Sequence, residues 1–140
     1  MVYVDTSVIV SLLTTEPRTQ DVTAWYAELR DTPICSDWLL TEFSSAISTK
    51  LRTGQMTAAN TKQVRKEFEL LAGGGLRIVP VSREAFRRAA EMCKLHNHGL
   101  RSGDSLHLAV ALELEASHMA TLDEVQAANA KRNGMAIIKF

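Results

Sequence analysis

Four carboxylates in this 140-residue chain, Asp5, Glu42, Asp104 and Asp123, fall where alternating strands and helices bring side chains to one sheet edge. Asp5 ends the apolar run Val2-Tyr3-Val4, and Asp123 follows Met119-Ala120-Thr121-Leu122. Glu42 lies early in the helix-like stretch after Pro33-Ile34-Cys35, while Asp104 opens an apolar helix over 105–114. Ligands of open parallel sheets gather at the carboxyl ends of the strands. Four negative charges meeting there repel and raise one another's proton affinity unless a cation sits among them. All-oxygen acidic clusters suit hard divalent ions such as Mg2+ or Mn2+. The pattern points first to a metal-dependent enzyme.

Each acid also has a simpler explanation. Asp5 in Asp5-Thr6-Ser7 and Asp123 after Thr121-Leu122 can cap helices, as can Asp104 after Arg101-Ser102-Gly103. Glu42 shares a helical stripe with Trp38, Leu39 and Ala46, where an unpartnered carboxylate is costly, so a salt bridge competes with a metal contact. Capping accounts for any one acid more readily than for all four in a frame that converges them. Other candidates are weaker. His107 sits in an apolar helix and reads as a packed histidine. His96-Asn97-His98 spells a nuclease tripeptide whose residues are normally dispersed over a ββα unit, and here it ends a helix. Gly73-Gly74-Gly75 lacks the Lys-Ser/Thr of a phosphate loop and reads as a turn.

The elements that must position these acids follow from periodicity and breakers. Strands are expected over 1–4, 33–36, 77–81, 118–122 and 136–140. Between them, helices are expected over 6–13, from Glu16-Pro17 onward with Val22, Trp25, Tyr26 and Leu29 at helical spacing, and over 38–52 capped by Ser36 or Asp37. Further helices follow Thr57, ending at the three glycines, and Ser82, over 83–96. The last two, 104–116 and 124–133, include one apolar on nearly every side and so expected to be central. Alternating strands and helices make the economical fold α/β, a three-layer α/β/α sandwich around a parallel sheet of four to five strands. No linker or repeat divides residues 1–140, which are read as one domain.

Hydrophobic residues make up 46% and charged residues 23%, ordinary for a soluble globular protein, and no apolar run approaches a membrane span. Cys35 and Cys93 have no ligand spacing and are expected as buried thiols in a reducing cytoplasm. Net charge is zero, but residues 43–101 hold eleven of the sixteen Lys and Arg against four acids, so that stretch carries +7 and the rest −7. A basic middle beside an acidic pocket suits a polyanion held near a metal. Solvated helix faces would account for several of those cations equally well.

Taken together, Val4-Asp5-Thr6-Ser7, Leu40-Thr41-Glu42-Phe43, Leu100-Arg101-Ser102-Gly103-Asp104-Ser105-Leu106-His107-Leu108-Ala109 and Ala120-Thr121-Leu122-Asp123 carry a resemblance. In order, spacing and length the chain resembles a PIN domain, specifically a VapC-type toxin ribonuclease of a bacterial toxin–antitoxin pair. The stretch around Asp104 is its most specific part, and one departure is Glu124, an acid where basic residues often follow the fourth carboxylate.

The resemblance implies a cytoplasmic endoribonuclease that uses Mg2+ or Mn2+ to activate water for phosphodiester cleavage. Asp5 and Asp104 are then direct ligands, and Glu42 and Asp123 ligate a second ion or hold water beside the metal. Thr6, Ser7 and Thr121 supply hydroxyls that orient the acids. It also implies a small antitoxin covering the acidic groove, and a homodimer or toxin–antitoxin hetero-oligomer to which Trp25, Tyr26 and Trp38 would contribute. Lys50 and Arg52, two to three turns past Glu42, and Arg101 beside Asp104 are expected on RNA phosphates.

Rival classes fit less well. A Mg2+-binding receiver-like signalling domain needs an Asp ending its third strand, and Ile78-Val79-Pro80-Val81-Ser82 offers none. A haloacid-dehalogenase-like phosphatase needs Asp-x-Asp where Asp5-Thr6-Ser7 stands. A catalytically silent PIN-like RNA-binding module usually loses acids, and here all four remain.

Overall fold

Alternation along β1 (Val2–Val4) divides the core in two. The computed structural model describes residues 1–140. In it Tyr3 registers with Met119 and Val4 with Ala120 of the parallel strand β4 (His118–Ala120). Successive strand side chains point to opposite faces. Val4 and Ala120 therefore join one apolar cluster, with Val8, Leu39, Phe43 and Phe68, while Tyr3 and Met119 join another, with Ala89, Leu108 and Ala130. A sheet buried on both faces is the ordinary setting for parallel strands.

β2 (Ile34–Ser36), β3 (Arg77–Val79) and β5 (Ala136–Ile137) complete a five-stranded, all-parallel sheet in the order β3-β2-β1-β4-β5. The chain first runs outward from β1 to β3. Its helices there are α1 (Thr6–Leu13), α2 (Thr19–Ala27), α3 (Trp38–Arg52) and α4 (Ala58–Leu70), and all four feed the Val4 side. It then returns past β1 to β4 and β5 through α5 (Arg83–Lys94), α6 (Ser102–Glu113) and α7 (Glu124–Arg132), which feed the Tyr3 side. Right-handed crossovers in two opposite directions put helices on both faces in this way. The expected three-layer α/β/α sandwich is the fold observed, at the upper end of the expected strand count. The direction reverses between β1 and β4, and a crevice forms outside the strand ends at such a switch point.

Several boundaries differ from expectation for local reasons. Pro17 lies before α2, which starts at Thr19, whose hydroxyl accepts from the Glu16 N–H and donates to the Ser11 and Thr14 carbonyls. The three glycines do not stop the helix outright, because Leu71–Gly75 winds on as one π-helical turn. Of the three, only Gly75 has close neighbours: a β-carbon there would lie 2.5 Å from the Tyr26 hydroxyl and 2.6 Å from Leu71 Cδ1, so a side chain would have to shift. α6 begins at Ser102, so Asp104 stands inside its first turn, and residues Ser105–Ala111 are all buried, as a central helix requires. Cys35 is buried, and desolvation pushes its thiol up to about 12, but Cys93 is exposed on α5, contrary to the expected pair of buried thiols. No helix is long and apolar enough to cross a membrane.

Candidate active site

All four acids line one cleft, with Thr6, Ser7, Ser45, Ala46, Arg101 and His107. Each acid arrives from a different connection, and for three of them the capping explanation is also true. Asp5 leaves β1 with its N–H bound to Ala120 O at 3.1 Å and caps α1. Asp123 caps α7, its Oδ1 accepting from the Gln126 N–H at 2.8 Å. Asp104 Oδ2 faces the Arg101 backbone N–H at 3.4 Å, at the start of α6. Helix N-termini stabilise carboxylates, so capping places these acids in the crevice instead of competing with a role there. Glu42 caps nothing and projects from the body of α3.

Hydroxyls brace Asp5 and Glu42. Asp5 Oδ1 accepts from the Ser7 N–H at 2.9 Å and the Ser7 hydroxyl at 2.6 Å, and Asp5 Oδ2 accepts from Thr121 Oγ1. Ser7 Oγ in turn accepts from the Leu122 N–H, and Thr121 Oγ1 from the Asp123 N–H, at 2.9 and 3.0 Å. Two short bridges thus join the ends of β1 and β4 across the switch point. Thr6 serves the other wall, donating to Glu42 Oε2 at 2.5 Å.

Burial then sets the electrostatics. Asp5 is 5% exposed, and desolvation raises its proton affinity; His107 and the Ser7 and Thr121 hydrogen bonds oppose this without cancelling it. For Glu42 desolvation also acts upward. The His107 hydrogen bond and charge, with Thr6 and Trp38, outweigh it and hold the carboxyl below its ordinary range. The Trp38 indole Nε1 adds by proximity, since it is a buried donor without a hydrogen-bond partner.

His107 is the residue that sequence reasoning undervalued. It is packed, as expected, at 2% exposure, but its Nε2 stands 2.7 Å from Glu42 Oε2 and 3.1 Å from Thr6 Oγ1. Its Nδ1 meets the fully buried Tyr3 hydroxyl at 2.9 Å. Glu42 therefore has the partner its position called for, a histidine hydrogen-bonded to its carboxylate. The available signals were spacing: His107 lies one turn past Asp104 on a helix, and Tyr3 two residues before Asp5 on a strand, each pair on one face. Gln126 was also unforeseen. It is fully buried and donates through Nε2 to the Asp104 carbonyl at 2.9 Å, tying α7 to α6.

The expected phosphate contacts separate. Arg101 is 80% exposed and stands between two acids, its Nε 3.4 Å from Asp104 Oδ2 and its Nη2 3.6 Å from Asp123 Oδ2. Arg52 is exposed on the last turn of α3. Lys50 is not free, because its ammonium pairs with Glu16 at 2.7 Å.

The donor set suits a hard cation: oxygen ligands throughout, a buried Asp5 whose charge is unfavourable without a positive neighbour, and a guanidinium already drawn to Asp104 and Asp123. No three His, Cys, Asp or Glu side chains stand close enough to grip one ion as they are placed.

The family described as PIN domain matches residues 2–132. No curated protein matches the sequence significantly. Among solved structures, the chain is similar to VapC20 of Mycobacterium tuberculosis, described as a sarcin–ricin-loop-cleaving toxin. The identity is 16% and the TM-score 0.75, over 92% of this chain and 95% of that one. It is similar to FitAcB from Neisseria gonorrhoeae at 22% identity and TM-score 0.73, over 99% and 97% of the two chains. VapBC2 from Rickettsia felis, solved bound to a DNA fragment from its promoter, matches at 17% identity and TM-score 0.66, over 99% and 98%. At these identities the structures establish shared fold.

Proposed function

This chain belongs to the PIN-domain family, and from that premise we propose that residues 1–140 form one nuclease domain, a Mg2+- or Mn2+-dependent endoribonuclease acting as the toxin of a toxin–antitoxin pair. The observation that carries the reading is the convergence of Asp5, Glu42, Asp104 and Asp123 from four connections on one cleft at the switch point. Asp5 and Asp104 are the proposed direct ligands, with Glu42 and Asp123 completing the acidic wall. Bound there, a divalent ion supplies Lewis acidity, easing ionisation of water and offsetting charge on the scissile phosphate and the leaving oxygen.

The chain's own groups do the rest. Ser7 and Thr121 fix the Asp5 oxygens, and Thr6 and His107 keep Glu42 ionised, ready to orient a water or accept its proton. Lys50, Arg52 and Arg101 are the proposed phosphate contacts. The similarity to FitAcB and VapBC2 supports a small antitoxin as partner, and a homodimer or toxin–antitoxin hetero-oligomer is the proposed working assembly.

The purified protein should cleave single-stranded or looped RNA with Mg2+ or Mn2+ and lose this activity in EDTA. Equal cleavage in excess chelator would sink the metal mechanism, and no cleavage of total cellular RNA under any metal would sink the enzyme.

A further inference from the structure

Glu42 is the one acid that caps no helix, so something else must hold its carboxylate toward the cleft. On one side stands His107, whose Nε2 faces Oε2 at 2.7 Å beside the Thr6 hydroxyl. A nitrogen facing an ionised carboxylate, which can only accept, must carry a proton. The imidazole cannot swing away, because Nδ1 is 2.9 Å from the Tyr3 hydroxyl, and Tyr3 reaches Ser36 Oγ on β2 at 3.1 Å. Both rings are buried and meet edge to face, their centroids 5.8 Å apart.

The other side of the carboxylate meets a bare α-carbon. A β-carbon at Gly103 would sit far inside contact distance of Glu42 Oε1 and 3.2 Å from Trp38 Nε1. Gly103 is the second residue of α6, where glycine is a poor helix former. Its backbone φ is not left-handed, so conformation does not call for it. What calls for glycine is the neighbouring acid.

We propose that Gly103 and His107, with Tyr3 behind it, form a cradle that fixes both oxygens of Glu42, making these three the positioning residues for that acid. Gly103 leaves room for Oε1, and His107 with Thr6 draws Oε2 into α6's first turns. Together they set where this carboxylate presents its charge to a cation or a water. The inference rests on the nuclease reading for its consequence in activity, but not for its geometry.

The decisive variant is Gly103→Ala. Alanine favours the helix, and the atom it displaces is the tip of a flexible side chain, so the melting temperature should hold or rise. Mn2+ affinity, followed by the electron-spin signal of free Mn2+, should weaken roughly 10- to 100-fold, the range for lost orienting contacts at metal ligands. RNA cleavage should fall in kcat with KM unchanged. In a Glu42→Asp background, whose shorter side chain vacates the space, Gly103→Ala should add little further loss. Tyr3→Phe should weaken Mn2+ binding in the same direction.

A second measurement needs no metal and no activity. The His107 Nε2 proton, bonded to a carboxylate, should give a slowly exchanging downfield NMR signal in the chelator-treated protein. Glu42→Gln and Gly103→Ala should each move it. If wild type neither binds Mn2+ nor cleaves RNA, the nuclease reading falls, while this signal still decides the cradle. A signal unmoved by both variants, or a Gly103→Ala protein binding Mn2+ as wild type does, would overturn the proposal.

Discussion

At the scale of the residue, Asp5 joins opposing demands. Its hydrogen bonds to Ser7 and Thr121 stabilise the junction of β1 and β4, yet burial makes its charge unfavourable. A carboxyl whose folded pKa is raised contributes stability that is complete below its unfolded value, about 3.9. That contribution is lost as pH rises through the folded value. Asn keeps the acceptor that caps α1 and removes the charge. The metal-free Asp5→Asn protein should therefore gain melting temperature over wild type between pH 5 and 8, by a margin that grows with pH. Activity should fall by at least about 100-fold, as when a single electrostatic group is removed from other active sites. Glu42 behaves oppositely: its folded pKa is lowered, so its stabilisation is present above the unfolded value, about 4.3, and is lost as pH falls through the folded one. Thermal melts of both Asn/Gln variants across pH, in EDTA, separate the two; an Asp5→Asn protein less stable than wild type at pH 8 would mean hydrogen bonding outweighs burial. Adding Mn2+ should raise the wild-type melting temperature and leave Asp5→Asn nearly unmoved, since an ion stabilises only the state that binds it.

At the scale of the element, the glycine run 73–75 offers a controlled comparison. β-Carbons at Gly73 and Gly74 would meet nothing within 4 Å, whereas at Gly75 one would press on Tyr26 and Leu71 and disturb the Tyr26 hydroxyl's 2.7 Å bond to the Gly75 carbonyl. Gly73→Ala and Gly74→Ala should be neutral or stabilise by about 0.4–1 kcal/mol through the unfolded chain. Gly75→Ala should destabilise by about 1–3 kcal/mol, as overpacking does. Chemical denaturation of the three variants checks this, and equal effects would dismiss the packing account. The same region shows what sequence could and could not disclose. Breakers and alternation were legible, so strand–helix order, the central α6 and the four acids followed from pattern. The π-helical turn did not, because glycine runs signal only that a helix weakens, and Tyr26, whose hydroxyl bonds the Gly75 carbonyl, lies 49 positions away in the chain. Likewise Glu42 announced a need for a partner, but His107 is 65 positions away in the chain, and only the packing of α3 against α6 joins them. The Lys50–Glu16 pair was hidden for the same reason, as was the exposure of Cys93.

At the scale of the whole molecule, charge is segregated although the net is zero: the stretch 43–101 carries +7 and the remainder −7. A polyanion held by the basic part releases counterions, so its affinity falls with salt at a slope set by the number of phosphates neutralised. The structure ranks the three cations proposed for that task. Arg52 is exposed and pairs with no acid, so Arg52→Ala should weaken RNA binding and reduce the salt slope by about 1. Lys50 already balances Glu16, with only 15% of its side chain exposed, so Lys50→Ala should change the slope less and the melting temperature more. Arg101 lies against Asp104 and Asp123, and its removal deepens the negative field of the cleft. Arg101→Ala should therefore weaken RNA binding most at low salt, where unscreened repulsion reaches farthest. Cleavage products should be unchanged in all three, because phosphate contacts position a strand without reading its bases. Binding to an uncleavable RNA across a salt series, with melts alongside, tests the ranking. If Lys50→Ala flattens the slope as much as Arg52→Ala, the Glu16 pair opens when RNA arrives, and the substrate path runs along the α1–α3 side of the cleft.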